Sequence, residues 1–335
     1  MELELRRRTL RFRERQRAAY GTLAERELVE VTLIDGEGRR GRGEAAPLEP
    51  YDGVTLERVG VALERYAAVV AYPPAGVLLL DACRAADELP QALAAIDLAL
   101  WDLAGTRAGR PVCELLTERP ATTVAVNATI GAEDPARAAA EAARAVRAGY
   151  GTVKVKVGIG DDLARVAAVR AAIGPEPGLR LDANGAWDVA QAERALDELA
   201  PYGLELVEEP VRGLAATQEL RERVPVRIAI DETAAIPGAL TARVADAICL
   251  KISRCGGIGG LLAAATLVRA SGAEVYLAST HDGPLGIAAA LHAAAALAPL
   301  PACGLATLEL FEHAPSALTP RGGAIAVPTG AGLGA

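Results

Sequence analysis

The chain has 335 residues, 51% hydrophobic but only 3% aromatic, with 43 Asp and Glu against 35 Lys and Arg and a net charge of −8. That composition excludes wholesale disorder and requires a core built mainly from Ala, Val, Leu and Ile. No basic tract extends beyond Arg6-Arg7-Arg8 and the alternating arginines after it, which argues against nucleic-acid binding, and no apolar run is long enough for a membrane span. Met1 is followed by charged residues rather than an apolar leader. The five cysteines are odd in number and without ligand-like spacing, so reduced thiols and a cytoplasmic location are expected.

In chain order, segments 3–13 and 27–34 read as strands, and Asp35-Gly36-Glu37-Gly38 after the second reads as a turn. Helical patterns come next, over 55–71 and 88–107, so the first 115 residues predict a small α+β unit. From residue 122 the rhythm changes. Short β-rich runs end near Asn127, Lys156, Asp182, Glu208, Asp231, Lys251 and Ser279. Ala-rich helical stretches alternate with them over 134–148, 161–173, 188–200, 214–223, 236–244, 259–271 and 284–298. The charged landmarks from Lys156 to Lys251 are spaced by 26, 26, 23 and 20 residues, each interval filled by one strand, one helix and two loops. Strands this apolar, repeated in this way, predict a parallel (β/α) barrel; an open doubly wound sheet would not bring the landmarks around one centre.

Lys154 and Lys156 stand at i and i+2 in Val153-Lys154-Val155-Lys156-Val157 and so share one face of a strand. Asp182, the pair Glu208-Glu209 and the pair Asp231-Glu232 put carboxylates where three successive apolar runs stop. Carboxylates that converge repel unless a cation neutralises them, and a hard oxygen donor set suits Mg²⁺ or Mn²⁺ rather than zinc. Spacing alone does not decide which member of each pair binds metal; the first of each, nearer the strand's end, is preferred. Lys251 ends the next strand, across a closed ring from Lys154 and Lys156. A substrate between them can be approached from either face.

The set Lys154-Val155-Lys156, Asp182-Ala183-Asn184, Glu208-Glu209-Pro210, Asp231-Glu232 and Lys251 with Gly256-Gly257 resembles the enolase superfamily in its muconate-lactonizing subgroup. Gly43-Glu44-Ala45-Ala46-Pro47 is similar to its capping domain, and Ala324-Ile325-Ala326-Val327-Pro328 to its C-terminal return. The resemblance implies a modified (β/α)7β TIM-type barrel over 116–314, with an N-terminal α+β capping domain over 1–115 joined by 315–335. It also implies Mg²⁺ on Asp182, Glu208 and Asp231, Lys156 and Lys251 as acid/base groups, and Lys154 assisting by its charge. Removing a proton beside a carboxylate makes an enediolate, and a cation at the carboxylate oxygens stabilises it. The base must be a neutral lysine, its pKa lowered from about 10.4.

The reaction is less determined. Asp182–Asp188 and Cys303–Thr307 resemble o-succinylbenzoate synthases, the first choice, whereas Glu309-Leu310-Phe311 resembles muconate cycloisomerases. Dipeptide epimerisation and N-succinylamino acid racemisation would use the same metal and lysines. Tyr20 and Tyr51 lie in turns suited to a lid over the barrel mouth, and with Asn184, Asp282 and Glu309 they are the candidate contacts to a small carboxylate substrate. His281 reads as a hydrogen-bonded loop residue. The glycine turn Gly256–Gly260 offers a helix N-terminus to a substrate anion. A Schiff-base aldolase would not need three carboxylates, and a non-catalytic barrel would need none of the set. Association into a homo-oligomer is compatible with all of these readings.

Overall fold

The computed structural model describes residues 1–18 and 21–335; Tyr20, one of the lid candidates, lies outside the described residues. β1 (Glu2–Ala18) and β2 (Gly21–Ile34) pair antiparallel from Glu2↔Ile34 to Arg11↔Glu25, and resume at Gln16↔Leu23 after an irregularity. β3 (Arg40–Ala45) adds to the far side of β2. The helices α1 (Glu49–Asp52), α2 (Leu56–Ala71), α3 (Leu79–Ala86), α4 (Pro90–Ala108) and α5 (Val112–Leu116) come after it. α4 lies directly on β3, because Gly41 and Gly43 present no side chain: a Cβ there would collide with the carbonyls of Ala99 and Ala95.

After β4 (Thr123–Ala125) the chain alternates: β5 (Ala128–Ile130), α6 (Pro135–Arg147), β6 (Thr152–Lys156), α7 (Asp162–Ile173), β7 (Gly178–Asp182), α8 (Val189–Leu199), β8 (Leu204–Glu208) and α9 (Leu214–Arg221). β9 (Ile228–Ile230), β10 (Ala247–Leu250), α10 (Ile258–Ser271), β11 (Glu274–Leu277) and α11 (Pro284–Leu297) complete the series. The seven strands β5 to β11 form one parallel sheet in strict chain order. Short bridges close it: Cys303 pairs with Val126 and Gly304 with Ala278. The Asn127 amide donates to the Cys303 carbonyl at 3.0 Å and the Gly304 amide to the Leu277 carbonyl at 2.7 Å. The segment at 303–304 thus stands in the place of an eighth strand.

Local sequence explains most helix starts. Asp134, Asp161 and Asp188 each accept from an amide of the first turn of α6, α7 and α8, the last as a reciprocal capping box with Gln191. Two expectations change. The stretch 236–244 is not a helix: Glu232–Ala235 and Ala239–Thr241 are separate 3-10 turns, and Pro237-Gly238 between them does not sustain helical backbone. The run ending at Asn127 is not the first barrel strand either. β4 pairs antiparallel with β12 (Ala324–Ala326), and β5 begins after it. Beyond β12 the chain returns to the N-terminal helices, where the Val112 amide donates to Gly332 at 3.0 Å and the Leu333 amide to the Asp102 carboxylate at 2.7 Å.

Candidate active site

The C-terminal ends of β6 to β10 converge on a cavity of about 550 Å³, lined by Lys154, Lys156, Asp182, Glu208, Asp231 and Lys251 among others. The paired registers Lys156↔Asp182 and Asp182↔Glu208 place these residues level with one another. Side chains at the ends of neighbouring parallel strands therefore meet rather than stagger. Lys154 Nζ donates to Asp182 at 2.8 Å and to both Glu208 oxygens at 3.0 and 3.2 Å. Lys156 Nζ donates to Asp182 at 2.6 Å and to the Asn184 carboxamide oxygen at 2.7 Å. On the other side of the row, Lys251 Nζ donates to Asp231 at 2.5 Å and to the Tyr51 hydroxyl at 2.7 Å.

Burial and pairing compete at each group. Burial opposes ionisation of Asp182, but Lys154 and Lys156 outweigh it and hold its pKa well below the usual carboxylate range. Burial likewise opposes the charge of Asp231, which Lys251 restores. Glu208 is raised, mainly by burial. Two of the lysines are held as ammoniums. Burial works against the ammoniums of Lys154 and Lys251, yet Asp182 and Glu208 at the first and Asp231 at the second leave both pKa values above the ordinary lysine value. The facing carboxylates are too close for a neighbouring lysine to prevail.

The choice within each carboxylate pair has a structural answer for Glu209. Its backbone is left-handed (φ 42°), and its carboxylate turns away to accept the amides of Asp231 at 2.7 Å and Thr233 at 3.0 Å. Burial first, then Glu232, raises its pKa to about 7. Glu209 therefore shapes the turn that carries Asp231. Glu232 accepts from the Asn184 side-chain amide at 3.0 Å. Asn184 thus has both ends of its carboxamide engaged inside the chain.

Glu208, Asp231 and Cys249 bring ligand atoms within 4.8 Å of one another, and Asp182 lies outside that compact set. Burial pushes the Cys249 thiol well above its ordinary pKa, so it offers no thiolate. What remains of it is Glu208 and Asp231, with the Asp182 carboxylate farther off on the adjoining strand. All three are buried, and hard oxygen donors of this kind fit a divalent cation such as Mg²⁺ or Mn²⁺.

The candidate substrate contacts divide. Tyr51 and Glu309 line the cavity, Glu309 accepting from the Tyr150 hydroxyl at 3.3 Å. Tyr51 also reaches the charged row, donating to Asp231 at 2.8 Å, so it is not remote from the carboxylates as a lid residue would be. Asp282 is the correction: it is fully buried behind the cavity wall and accepts from Thr280 at 2.8 Å, while its neighbour His281 faces the cavity. The helix N-terminus at Gly256–Gly260 is no anion site for substrate, because the Asp97 carboxylate of α4 already accepts from the Gly259 amide at 3.2 Å.

Two residues escaped sequence reasoning. Arg254 donates to the Tyr51 hydroxyl at 2.7 Å, and Tyr276 donates to Glu208 at 2.8 Å. Arg254, three residues after Lys251, had a positional signal. Tyr276, inside an apolar strand, had none.

Comparison with known proteins agrees with this geometry. Residues 4–117 match the family model of the mandelate racemase / muconate lactonizing enzyme N-terminal domain, and residues 137–335 the enolase C-terminal domain-like model. The chain is 33% identical to a hydrophobic dipeptide epimerase of Enterococcus faecalis over 302 residues, covering 86% of this chain and 84% of that protein. It is 43% identical to an o-succinylbenzoate synthase of Thermobifida fusca over 201 residues, covering 57% and 61%. The solved dipeptide epimerase from Enterococcus faecalis, complexed with Mg and L-Leu-L-Tyr, superposes with a TM-score of 0.90 at 30% identity, covering 99% of this chain and 98% of that one.

Proposed function

The chain belongs to the mandelate racemase / muconate lactonizing enzyme family of the enolase superfamily, and from that premise we propose that it removes the proton beside a substrate carboxylate to form an enediolate. The observation that carries this reading is the row of three buried carboxylates flanked by Lys154 and Lys156 on one side and Lys251 on the other. Asp182, Glu208 and Asp231 would hold Mg²⁺ or Mn²⁺. When bound, the cation supplies positive charge to the substrate carboxylate oxygens as negative charge grows there.

The lysines differ in setting, and that favours a division of labour. Lys251 lies 4.2 Å from the centroid of the Tyr51 ring, besides its contacts with the Tyr51 hydroxyl and Asp231. A ring face, a hydroxyl and a carboxylate all favour the ammonium form, so Lys251 is suited to stabilise charge rather than accept a proton. Lys156 is more open, at 23% side-chain exposure against 8% for Lys251, and Asn184 aims its amine. Lys156 is thus the base and Lys251 the cation. A one-base reaction of this kind is the dehydration of a hydroxycyclohexadiene carboxylate to o-succinylbenzoate, the activity named for the 43%-identical relative.

Dipeptide epimerisation is the second reading, favoured by relatives that match across most of the chain. It needs both lysines as acid and base. The two are separated by incubating the protein with Mg²⁺ and each substrate. Dehydration turns a conjugated cyclohexadiene acid into an aromatic one and so changes the ultraviolet absorbance, whereas epimerisation takes up solvent deuterium into an L-Ala-L-Glu or hydrophobic dipeptide. The expected result is an absorbance change at a rate well above that of any dipeptide exchange; brisk exchange with no absorbance change transfers the assignment to the epimerase.

A further inference from the structure

His281, in the loop after β11, lines the same cavity as Lys156 and Lys251 but takes no part in the carboxylate row. Its backbone is left-handed (φ 58°), a conformation that residues with a side chain seldom adopt. Asn184 and Glu209 share that conformation in loops after barrel strands, and they orient Lys156 and the Asp231 turn. Strain of this kind gathers where a side chain must be aimed.

The ring and the loop that carries it are held by separate contacts. Phe12 of β1 meets it edge-on at 5.2 Å and stacks on Phe311 at 4.4 Å, and these are the chain's two phenylalanines. Beneath it, Glu44 of β3 accepts the amides of Gly283 at 2.6 Å and Leu285 at 3.1 Å, while the Asp282 amide donates to the Ser279 hydroxyl at 2.8 Å. Phe12 thus packs on the imidazole, while Glu44 and Ser279 hold the backbone that follows it.

Its Nδ1 is buried without a hydrogen-bond partner among the described residues. An orphaned lone pair is more tolerable than an orphaned N–H, so the proton belongs on Nε2, leaving that nitrogen as a donor. The ring is neutral, its pKa pushed down to about 3 by burial and then by Arg26 and the three lysines. A carboxylate is drawn to those cations rather than to an uncharged ring. We infer that His281 is a specificity-determining contact of this site, donating a hydrogen bond to an uncharged carbonyl that the substrate carries in addition to its reacting carboxylate. This rests on the enediolate reading only for where that carboxylate sits; a ketone and a peptide amide both supply such a carbonyl.

The test compares two ligands that differ by one oxygen, o-succinylbenzoate and 2-(3-carboxypropyl)benzoate, titrated calorimetrically into the Mg²⁺-loaded full chain. The wild type should prefer the keto ligand by about tenfold, the scale of one hydrogen bond. His281→Phe keeps the ring volume and the Phe12 contact and should bind both ligands with the weaker affinity. His281→Asn tolerates the backbone conformation, can still donate, and should recover part of the preference. Thermal unfolding checks that both variants are folded. Equal affinities in the wild type, a keto preference that survives in His281→Phe, or binding of neither ligand overturns the inference. Lys156-dependent deuterium exchange into a carboxylate substrate is measured separately. It can persist when the carbonyl is not read, so failure of this contact and failure of the proposed function are distinguishable.

Discussion

Lys156 and Lys251 occupy opposite sides of one charged row, and their partners decide what each can do. Asn184 and Asp182 hold Lys156 through two oxygens, and the group remains partly open to the cavity. Removing it should abolish proton abstraction: Lys156→Ala is expected to lose roughly 10²–10⁴-fold in exchange of the substrate proton with solvent deuterium. Exchange at the wild-type rate would exclude Lys156 as the base. Lys251→Arg separates the two reactions, since a guanidinium keeps its charge but does not act as a base. In the one-base reading this variant should retain a measurable fraction of dehydration; in the two-base reading epimerisation is lost. Progress curves by ultraviolet absorbance and by proton NMR in deuterated solvent read the two outcomes.

Among the elements, helix starts bind the two halves of the molecule together. α10 has no capping side chain of its own, and Asp97 of α4 reaches across to the Gly259 amide. The adjoining Gly257 has φ 102°, and a Cβ there would collide with the Asp97 carboxylate. Both the backbone and the space demand glycine. Gly257→Ala should therefore destabilise by more than about 1 kcal/mol, beyond what an unstrained Gly-to-Ala change produces. The guanidinium unfolding midpoint measures it, and an unchanged midpoint would mean that the start of α10 relaxes freely. α11 obeys the same logic with Glu44 of β3 in place of a local cap.

Across the molecule as a unit, buried histidines make stability depend on acid. His292 in α11 accepts the Cys113 amide on Nδ1 at 3.2 Å and lies 3.1 Å from the Leu333 carbonyl through Nε2, joining α11, α5 and the C-terminal return. Burial lowers its pKa below the ordinary value, although the Leu333 contact works the other way. His281 is lowered as well. A histidine whose folded pKa lies below its unfolded value binds its proton more readily when unfolded. Its stabilisation is thus complete above about pH 6.5 and is lost as pH falls below it, by at most about 1.4 kcal/mol per pH unit for each group. Glu44 and Glu209, whose pKa values burial raises to about 8 and about 7, work in the opposite sense over the same range. The histidine contribution is therefore read as a difference: from pH 7 to pH 5 the thermal midpoint of the wild type should lose ground relative to that of His292→Gln. Equal slopes would remove His292 from the account.

The strand–helix rhythm and the charged residues that punctuate it are legible in the chain alone. A lysine or carboxylate closing an apolar run is costly to bury and so stands out against its neighbours, as Lys156, Asp182, Glu208, Asp231 and Lys251 do. Parallel strands in chain order then bring such residues level without further information. Their surroundings depend on the assembled fold. Asp282 is buried and His281 lines the cavity in a loop whose left-handed residue, His281 itself, has no periodic signal in the sequence. Asp97 filled the glycine-rich helix start, Tyr51 and Arg254 met at Lys251, and Phe12 found Phe311 nearly three hundred residues away. These contacts join segments whose separation in the chain carries no periodicity, so only closure of the barrel and docking of the N-terminal sheet against it could specify them.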